Sequence, residues 1–142
     1  MSYTLGIVKP DAVETNKSGL IIAHLEREGF LLRAARLVRL TSAQAAAFYE
    51  VHKGRPFYAD LVAFMSSGPC LPMALDREDA VAHFRRVIGA TDPREAAEGT
   101  VRKLYAESKG RNAVHGSDSD ENAAAEIAFF FPRSELAGLW GA

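Results

Sequence analysis

Tyr3-Thr4-Leu5-Gly6-Ile7-Val8-Lys9-Pro10 is a short, apolar-rich stretch that ends on a cation and a proline. It predicts a buried strand, and the proline favours extended backbone at Lys9, so we expect the strand to end there. Lysine side chains normally lie in solvent, and one at the end of an apolar strand is unexpected. Lys9 is therefore a candidate functional residue.

Helical and strand patterns alternate along the rest of the chain. Further strands are predicted at 30–40, 70–75 and 127–131, and helices at 19–28, 57–65 and 77–88. Thr41 and Gln44 form a capping-box pattern before an alanine-rich helix that runs to His52. Ser119 is expected to cap a short helix near the end of the chain.

The segment between the helix predicted at 77–88 and Ser119 lacks a regular helical or strand pattern. It offers only short helical pieces near 93–97 and 100–106, and residues 107–116 show no apolar period. A long irregular segment in a compact domain is more often functional than idle. The order of the elements predicts one α+β sandwich domain spanning residues 1–142.

Composition narrows the class of protein. With 142 residues, 48% apolar and 25% charged, the chain is a normal globular domain. A net charge of −1 argues against a broad basic face for nucleic acid. Cys70 is the single cysteine, and the sequence shows neither a signal-peptide pattern nor an apolar run of membrane-spanning length. We expect a cytoplasmic protein that does not bind membranes.

The stretch Asn112-Ala113-Val114-His115-Gly116-Ser117-Asp118-Ser119 carries the clearest chemical pattern. Imidazole is largely uncharged near neutral pH and can act as a covalent nucleophile. Gly116 is expected to leave room for an incoming group, and His115 to lie open to solvent. The alternative is an ordinary loop histidine. The other histidines, His24, His52 and His83, are expected on the solvated surface.

Asn-x-x-His-Gly-Ser-Asp at this point resembles the active-site signature of nucleoside diphosphate kinases. Similar stretches follow in the family's order along nearly the whole chain. They are Lys9-Pro10-Asp11-Ala12-Val13, His52-x-Gly54-x-Pro56-Phe57, Ser67-Gly68-Pro69, Gly89-Ala90-Thr91-Asp92-Pro93 and Gly99-Thr100-Val101-Arg102. The resemblance implies a ferredoxin-like sandwich, in which helices cover a four-stranded antiparallel sheet.

The resemblance also implies roles for individual residues. His115 would be the phosphorylated residue, with Glu126 bonded to its imidazole and Ser117 and Tyr49 beside them. Lys9 would serve both catalysis and binding. The residues implied in nucleotide binding are Lys9, Phe57, Arg85, Thr91, Arg102 and Asn112. Without the resemblance, Glu126 would be an exposed helix-end carboxylate and Phe57 a packing residue.

Arg85 and Arg86 are neighbours, and the helical pattern distinguishes them. The apolar face consists of Ala80, Val81, Phe84, Val87 and Ile88. At 100° per residue, Arg85 lies at the edge of that face and Arg86 nearly opposite it. An edge position can reach a cleft, so we assign Arg85 to the phosphates.

The resulting expectation is a phosphotransferase that moves the γ-phosphate of a nucleoside triphosphate to a nucleoside diphosphate through phospho-His115. The cofactor would be Mg²⁺, held mainly by the substrate phosphates and water, with Asp118 as an outer-sphere candidate and no side chain assigned as a direct ligand. The resemblance implies a homo-oligomer, either tetramer or hexamer. The alternatives are a non-catalytic nucleotide- or nucleic-acid-binding regulatory module on the same fold, and a phosphohistidine relay with a non-nucleotide acceptor.

Overall fold

A four-stranded antiparallel sheet forms the centre of the molecule. The structure, a computed structural model, describes residues 2–140, with side chains through residue 138. The strands are β1 (Ser2–Val8), β2 (Leu31–Ala35), β3 (Leu71–Arg77) and β4 (Val114–Gly116). Their order in the sheet is β2-β3-β1-β4, and every neighbouring pair is antiparallel. The predicted α+β architecture is confirmed.

Helices cover both faces of the sheet. They are α1 (Pro10–Glu14), α2 (Ser18–Arg27), α3 (Ser42–Phe48), α4 (Tyr58–Met65), α5 (Ala80–Ile88), α6 (Val101–Tyr105), α7 (Asp120–Phe130) and α8 (Arg133–Trp140), with a 3₁₀ turn at Glu50–His52. The capping box of Thr41 and Gln44 is present, and Ser119 caps α7 as predicted. None of the helices within residues 2–140 combines the length and apolar character needed to cross a membrane.

Alternation along β1 divides the core between the two faces. Val8 packs with α2 and α5, whereas Leu5 and Ile7 pack with α3, α4 and α7. Successive strand residues point to opposite faces, so each helical layer receives its own set of apolar side chains. Because His115 pairs with Ile7 across the sheet, the histidine faces the α3 and α7 layer.

Two paired glycines allow α5 to lie directly against the sheet. Gly6 and Gly116 are opposite each other in β1 and β4. A Cβ at Gly116 would lie 2.7 Å from Phe84, and one at Gly6 would lie 2.9 Å from it. The expectation that Gly116 clears space for an incoming group is therefore wrong. Its missing side chain accommodates the Phe84 ring on the opposite face from the imidazole.

The fourth strand is not where the sequence pattern predicted it. Residues 127–131 were expected to be a strand, but 127–130 belong to α7, and β4 lies within the segment expected to be irregular. Ala123, Ile127 and Phe130 are buried at helical spacing. A short apolar run does not distinguish a buried strand from one buried helical face. Glu126 consequently lies within α7, not just before a strand.

Several boundaries also differ from the prediction. The long strand expected at 30–40 shortens to β2, which contains an irregularity between Leu32 and Ala34, and Val38 makes only an isolated bridge to Cys70. The helix expected from residue 77 begins at Ala80, because β3 continues to Arg77. Residues 93–97 form turns without a helix.

Candidate functional site

The centre of the candidate site is an ordered chain of side chains that ends at His115. Glu126 Oε1 lies 2.8 Å from His115 Nε2 and accepts a hydrogen bond of 2.9 Å from Ser117 Oγ. The buried Ser117 hydroxyl in turn accepts from the Leu5 backbone N–H at 3.3 Å. The strand β4 and the helix α7 thus bring together the three residues expected here.

The two ring nitrogens of His115 have different surroundings, because Glu126 contacts Nε2 only. Hydrogen bonds from the described residues engage His115 through Nε2 alone. A carboxylate at Nε2 favours the tautomer that carries its proton there, which leaves the Nδ1 lone pair available. Nδ1 is therefore the ring nitrogen of His115 without a hydrogen-bond partner among the described residues.

Aromatic side chains enclose the imidazole. Phe48 and Tyr49 meet the His115 ring edge to face, with centroids 5.3 Å and 5.9 Å away. The His115 side chain is only 15% exposed, so the expectation of an open, solvent-facing histidine is wrong. Tyr49 is where the resemblance placed it, but Phe48 was missed, since its spacing gave it no distinction from core aromatics.

Burial keeps the imidazole neutral. Desolvation lowers the pKa of His115 below its ordinary 6.5, and the nearby Lys9 and Arg102 lower it further. The Glu126 carboxylate opposes these effects without cancelling them. A neutral imidazole retains the lone pair that a nucleophile needs.

Burial also prevents ionisation of the neighbouring Tyr49. Desolvation raises the pKa of its phenol far above its usual range. The Tyr49 hydroxyl is buried and has no hydrogen-bond partner among the described residues. It therefore remains a neutral group in the wall of the site.

Lys9 is buried beside the histidine, as its place at the end of β1 suggested. Its side chain donates a hydrogen bond of 2.9 Å from Nζ to Asn112 Oδ1, and the residue is 8% exposed. Burial, assisted by the Arg102 guanidinium, lowers the pKa of Lys9 from 10.5 to about 8. Lys9 is thus a cation that water stabilises poorly and that an anion would stabilise well.

Arg102 is tied to the backbone around the site. Its guanidinium donates to the carbonyl oxygens of Gly89 at 3.0 Å, Asn112 at 3.3 Å and Val114 at 2.8 Å. Burial lowers its pKa to about 10, so it stays charged at neutral pH. These bonds hold a positive charge beside the strand that carries His115.

A cavity of about 360 Å³ lies next to Arg102. It is lined by Arg85, Arg86, Ile88, Gly89, Ala90, Thr91, Ala97, Thr100 and Arg102. Of the predicted nucleotide-binding residues, Arg85, Thr91 and Arg102 line this cavity. Lys9, Phe57 and Asn112 do not. Arg86 also lines the cavity, but its side chain is 64% exposed and its guanidinium lies 3.3 Å from His83 and 3.9 Å from Asp79.

Phe57 is a partly exposed aromatic residue in contact with one of the three histidines other than His115. Phe57 caps α4, is 48% exposed and lies 5.4 Å from the His52 ring, which stacks on Tyr49. A half-exposed ring retains surface on which a planar group can stack, unlike a ring in the core. The prediction of solvated histidines is wrong, because His24, His52 and His83 are all half-buried.

Three carboxylates near the site each have one oxygen engaged in hydrogen bonds within the protein. Asp11 Oδ2 accepts from the Ala113 N–H, Glu126 bonds Ser117 and His115, and Asp118 accepts from Asn122. Over residues 2–140, no group of three or more His, Cys, Asp or Glu side chains is placed to hold a metal ion. The unengaged polar groups that face the cavity are cationic or neutral, which suits phosphate oxygens.

Comparison with known proteins gives a consistent result. Residues 2–136 match the family model for nucleoside diphosphate kinase. A nucleoside diphosphate kinase of Chlorobaculum parvum is 62% identical over 136 residues, covering 96% of this chain and 97% of that protein. One from Sorangium cellulosum is 58% identical over 137 residues, covering 96% and 95%.

Solved structures of similar proteins have the same fold. The nucleoside diphosphate kinase of Aquifex aeolicus superposes with a TM-score of 0.93 at 44% identity, covering 94% of this chain and 97% of that one. The Encephalitozoon cuniculi nucleoside diphosphate kinase gives a TM-score of 0.90 at 35% identity, covering 94% and 91%.

Proposed function

Because the chain belongs to the nucleoside diphosphate kinase family and is therefore a phosphotransferase acting on nucleotides, we propose that it works through a covalent phosphohistidine at His115. The observation that carries this proposal is the asymmetry of the imidazole. Glu126 holds Nε2 at 2.8 Å, while Nδ1 has no partner among the described residues. A neutral, oriented imidazole with one free lone pair is an activated nucleophile.

The reaction consists of two matched displacements. In the first, Nδ1 of His115 attacks the γ-phosphorus of a nucleoside triphosphate, the N–P bond forms, and the bond to the β-phosphate oxygen breaks to release the diphosphate. In the second, a β-phosphate oxygen of another diphosphate attacks the same phosphorus and breaks the N–P bond. The ring gains positive charge in the first step, and the Glu126 carboxylate stabilises it.

Cations beside His115 and around the cavity neutralise the transferring group. Lys9 supplies a point charge, and Arg85 and Arg102 supply guanidinium groups that match phosphate oxygens. Thr91 and Asn112 add neutral polar groups, and Asn112 already bonds Lys9. A phosphoryl transfer with a loose transition state depends chiefly on such positioning and charge.

Mg²⁺ fits this site as part of the substrate. The free polar groups are donors to phosphate and the nearby carboxylates each have one oxygen engaged, so the ion would be held by the nucleotide phosphates and by water. Bound there, it would neutralise part of the phosphate charge. The protein's own contribution remains the orientation of His115 and the cationic wall.

Initial-rate kinetics test the double displacement. With ATP and GDP varied against each other, reciprocal plots should give parallel lines, because the first product leaves before the second substrate binds. Intersecting lines would mean that both nucleotides are bound during transfer, and the covalent route would be excluded as the main path.

The pH profile should reveal Lys9. The pKa of Lys9 is lowered to about 8, so the charge is present below that pH and is lost above it. We expect kcat/KM, which reports on the free enzyme, to fall above about pH 8. Once phosphate is bound, its negative charge holds the proton on Lys9, so kcat should fall only at higher pH. A kcat/KM that is flat to pH 10 would contradict this assignment.

Glu126→Gln should separate orientation from binding. Glutamine retains a neutral hydrogen bond but not the charge that supports a cationic ring, a difference of roughly 1–1.5 kcal/mol. We expect kcat to fall roughly 5- to 15-fold with little change in KM. Rapid-quench measurement of His115 phosphorylation gives the step directly, and an unaltered rate would remove Glu126 from the mechanism.

Phe57→Ala should weaken nucleotide binding. Base–aromatic stacking is worth 1–3 kcal/mol in single-stranded nucleic acids, and a half-exposed ring suggests the lower part, about 1–2 kcal/mol. We expect KM to rise roughly 5- to 30-fold for all four common bases. Val51→Ala, at a 77% exposed position on the neighbouring turn, is the control. A loss confined to one base would indicate recognition of base edges instead.

A further inference from the structure

Asp11 is a buried acid that the mechanism above does not use. It lies in α1, is 2% exposed, and its Oδ2 accepts a hydrogen bond of 3.0 Å from the Ala113 N–H, across 102 positions of sequence. Its other oxygen, Oδ1, is buried without a hydrogen-bond partner among the described residues. Burying a carboxylate oxygen without a hydrogen-bond partner costs free energy, so we expect other interactions of Asp11 to offset this cost.

Ala113 has an unusual backbone conformation. Its φ is 73°, a left-handed value that side chains other than glycine rarely adopt. Asp11 holds its N–H, and the backbone N–H of Lys9 donates to its carbonyl at 2.9 Å. Lys9 at the end of β1 and Asp11 in α1 therefore hold the carbonyl and the N–H of Ala113. This residue lies between Asn112 and the first residue of β4.

Asp11 also faces the charges of the site. The Arg102 guanidinium on α6 lowers the pKa of Lys9, whereas the Asp11 carboxylate raises it. His115 on β4 is a further titratable group near Lys9, because the Lys9 charge lowers the pKa of its imidazole. Arg111, in the loop before β4, faces Asp11 and lies 4.0 Å from the exposed Glu14.

We propose that Asp11 is a positioning residue of the phosphate site, which fixes the strained Ala113 backbone ahead of His115 and places a buried carboxylate in the same cluster as Lys9. This proposal rests on the function proposed above. Its two parts are separable, because asparagine keeps a hydrogen-bond acceptor for Ala113 and loses only the charge, whereas alanine loses both.

The first test is titration of Lys9 itself, which requires no activity. In protein carrying ¹³C-labelled lysine, the Lys9 signal is assigned by its loss in Lys9→Arg, and its titration is followed by NMR. Asp11→Asn should move this titration, and the alkaline limb of kcat/KM, down by roughly 1 pH unit. Glu14→Gln removes a carboxylate from the same helix, and its 72% exposed side chain makes it the matched control, expected to leave both unmoved.

The second test measures backbone positioning. Asp11→Ala should phosphorylate His115 more slowly than Asp11→Asn when both are compared at pH 6, where Lys9 is charged in each. Equal rates would overturn the positioning role, and an unmoved Lys9 titration in Asp11→Asn would overturn the charge role. If Asp11→Asn does not fold, Asp11→Ala, which also removes the charge, replaces it in the Lys9 titration, and its His115 phosphorylation at pH 6 is compared with that of the unaltered protein. Absence of His115 phosphorylation in the unaltered protein would instead refute the proposed function, while the Lys9 titration would still decide the charge role.

Discussion

His115→Ala is expected to abolish transfer, with a loss of roughly 10⁴-fold or more in kcat. The variant lacks the atom that forms the covalent bond, and a missing nucleophile is not replaced by its neighbours. The phenol of Tyr49 is neutral and Lys9 is protonated at neutral pH, so neither substitutes for the imidazole. Coupled assay of ATP-dependent GTP formation measures the loss.

Two further variants make this result interpretable. His115→Gln fills more of the space beside Phe48 and should be equally inactive, which would exclude simple collapse of the site. His24→Ala removes a half-buried histidine from α2 that does not line the cavity, and should retain activity. An active His115→Gln would show that the nucleophile is misassigned.

Arg85→Ala is expected to lower kcat/KM by roughly 10- to 150-fold. A lost charge-assisted hydrogen bond costs about 1.5–3 kcal/mol, and each 1.36 kcal/mol is about tenfold in rate. The adjacent Arg86→Ala is the matched control, because it removes the same charge from the same helix. The Arg86 guanidinium lies beside Asp79 and His83, so we expect a change within about twofold.

Measuring both variants with the same nucleotide pair tests the assignment. Both arginines line the cavity, so position alone does not decide between them. Greater damage from Arg86→Ala would mean that its guanidinium leaves Asp79 when nucleotide binds. In that case the assignment of phosphate contacts on α5 would have to be reversed.

The sequence predicted the fold class and the buried face of α5 well. Ala80, Val81, Phe84, Val87 and Ile88 are all buried, because a strong helical period leaves one interpretation. The run at 127–131 was wrongly predicted to be a strand because its apolar residues are adjacent in sequence. Only packing against the sheet shows that they share a helical face. β4 was missed because three residues carry too little pattern to be recognised.

Site residues could be predicted from the sequence where a single residue differs clearly from what its neighbours lead one to expect. Lys9 at the end of a strand and His115 before a glycine both stand out, although the enclosure of His115 does not. Glu126 was identified through family resemblance, since its pairing with His115 depends on how α7 crosses β4. Asp11 lies in a stretch that matches the family, but no role was assigned to it, and Phe48 gave no signal. Their roles arise from contacts with Ala113 and the imidazole, which no local pattern encodes.

The central claim is that phosphate passes through His115, and a labelled chase tests it most directly. Protein incubated with γ-labelled ATP and freed of nucleotide should carry label that is stable in alkali and lost in acid, as expected of phosphate on nitrogen. Adding unlabelled GDP should transfer that label to GTP, and His115→Ala should carry none. Label that never reaches GTP, or GTP formed by protein that carries no label, would contradict the account.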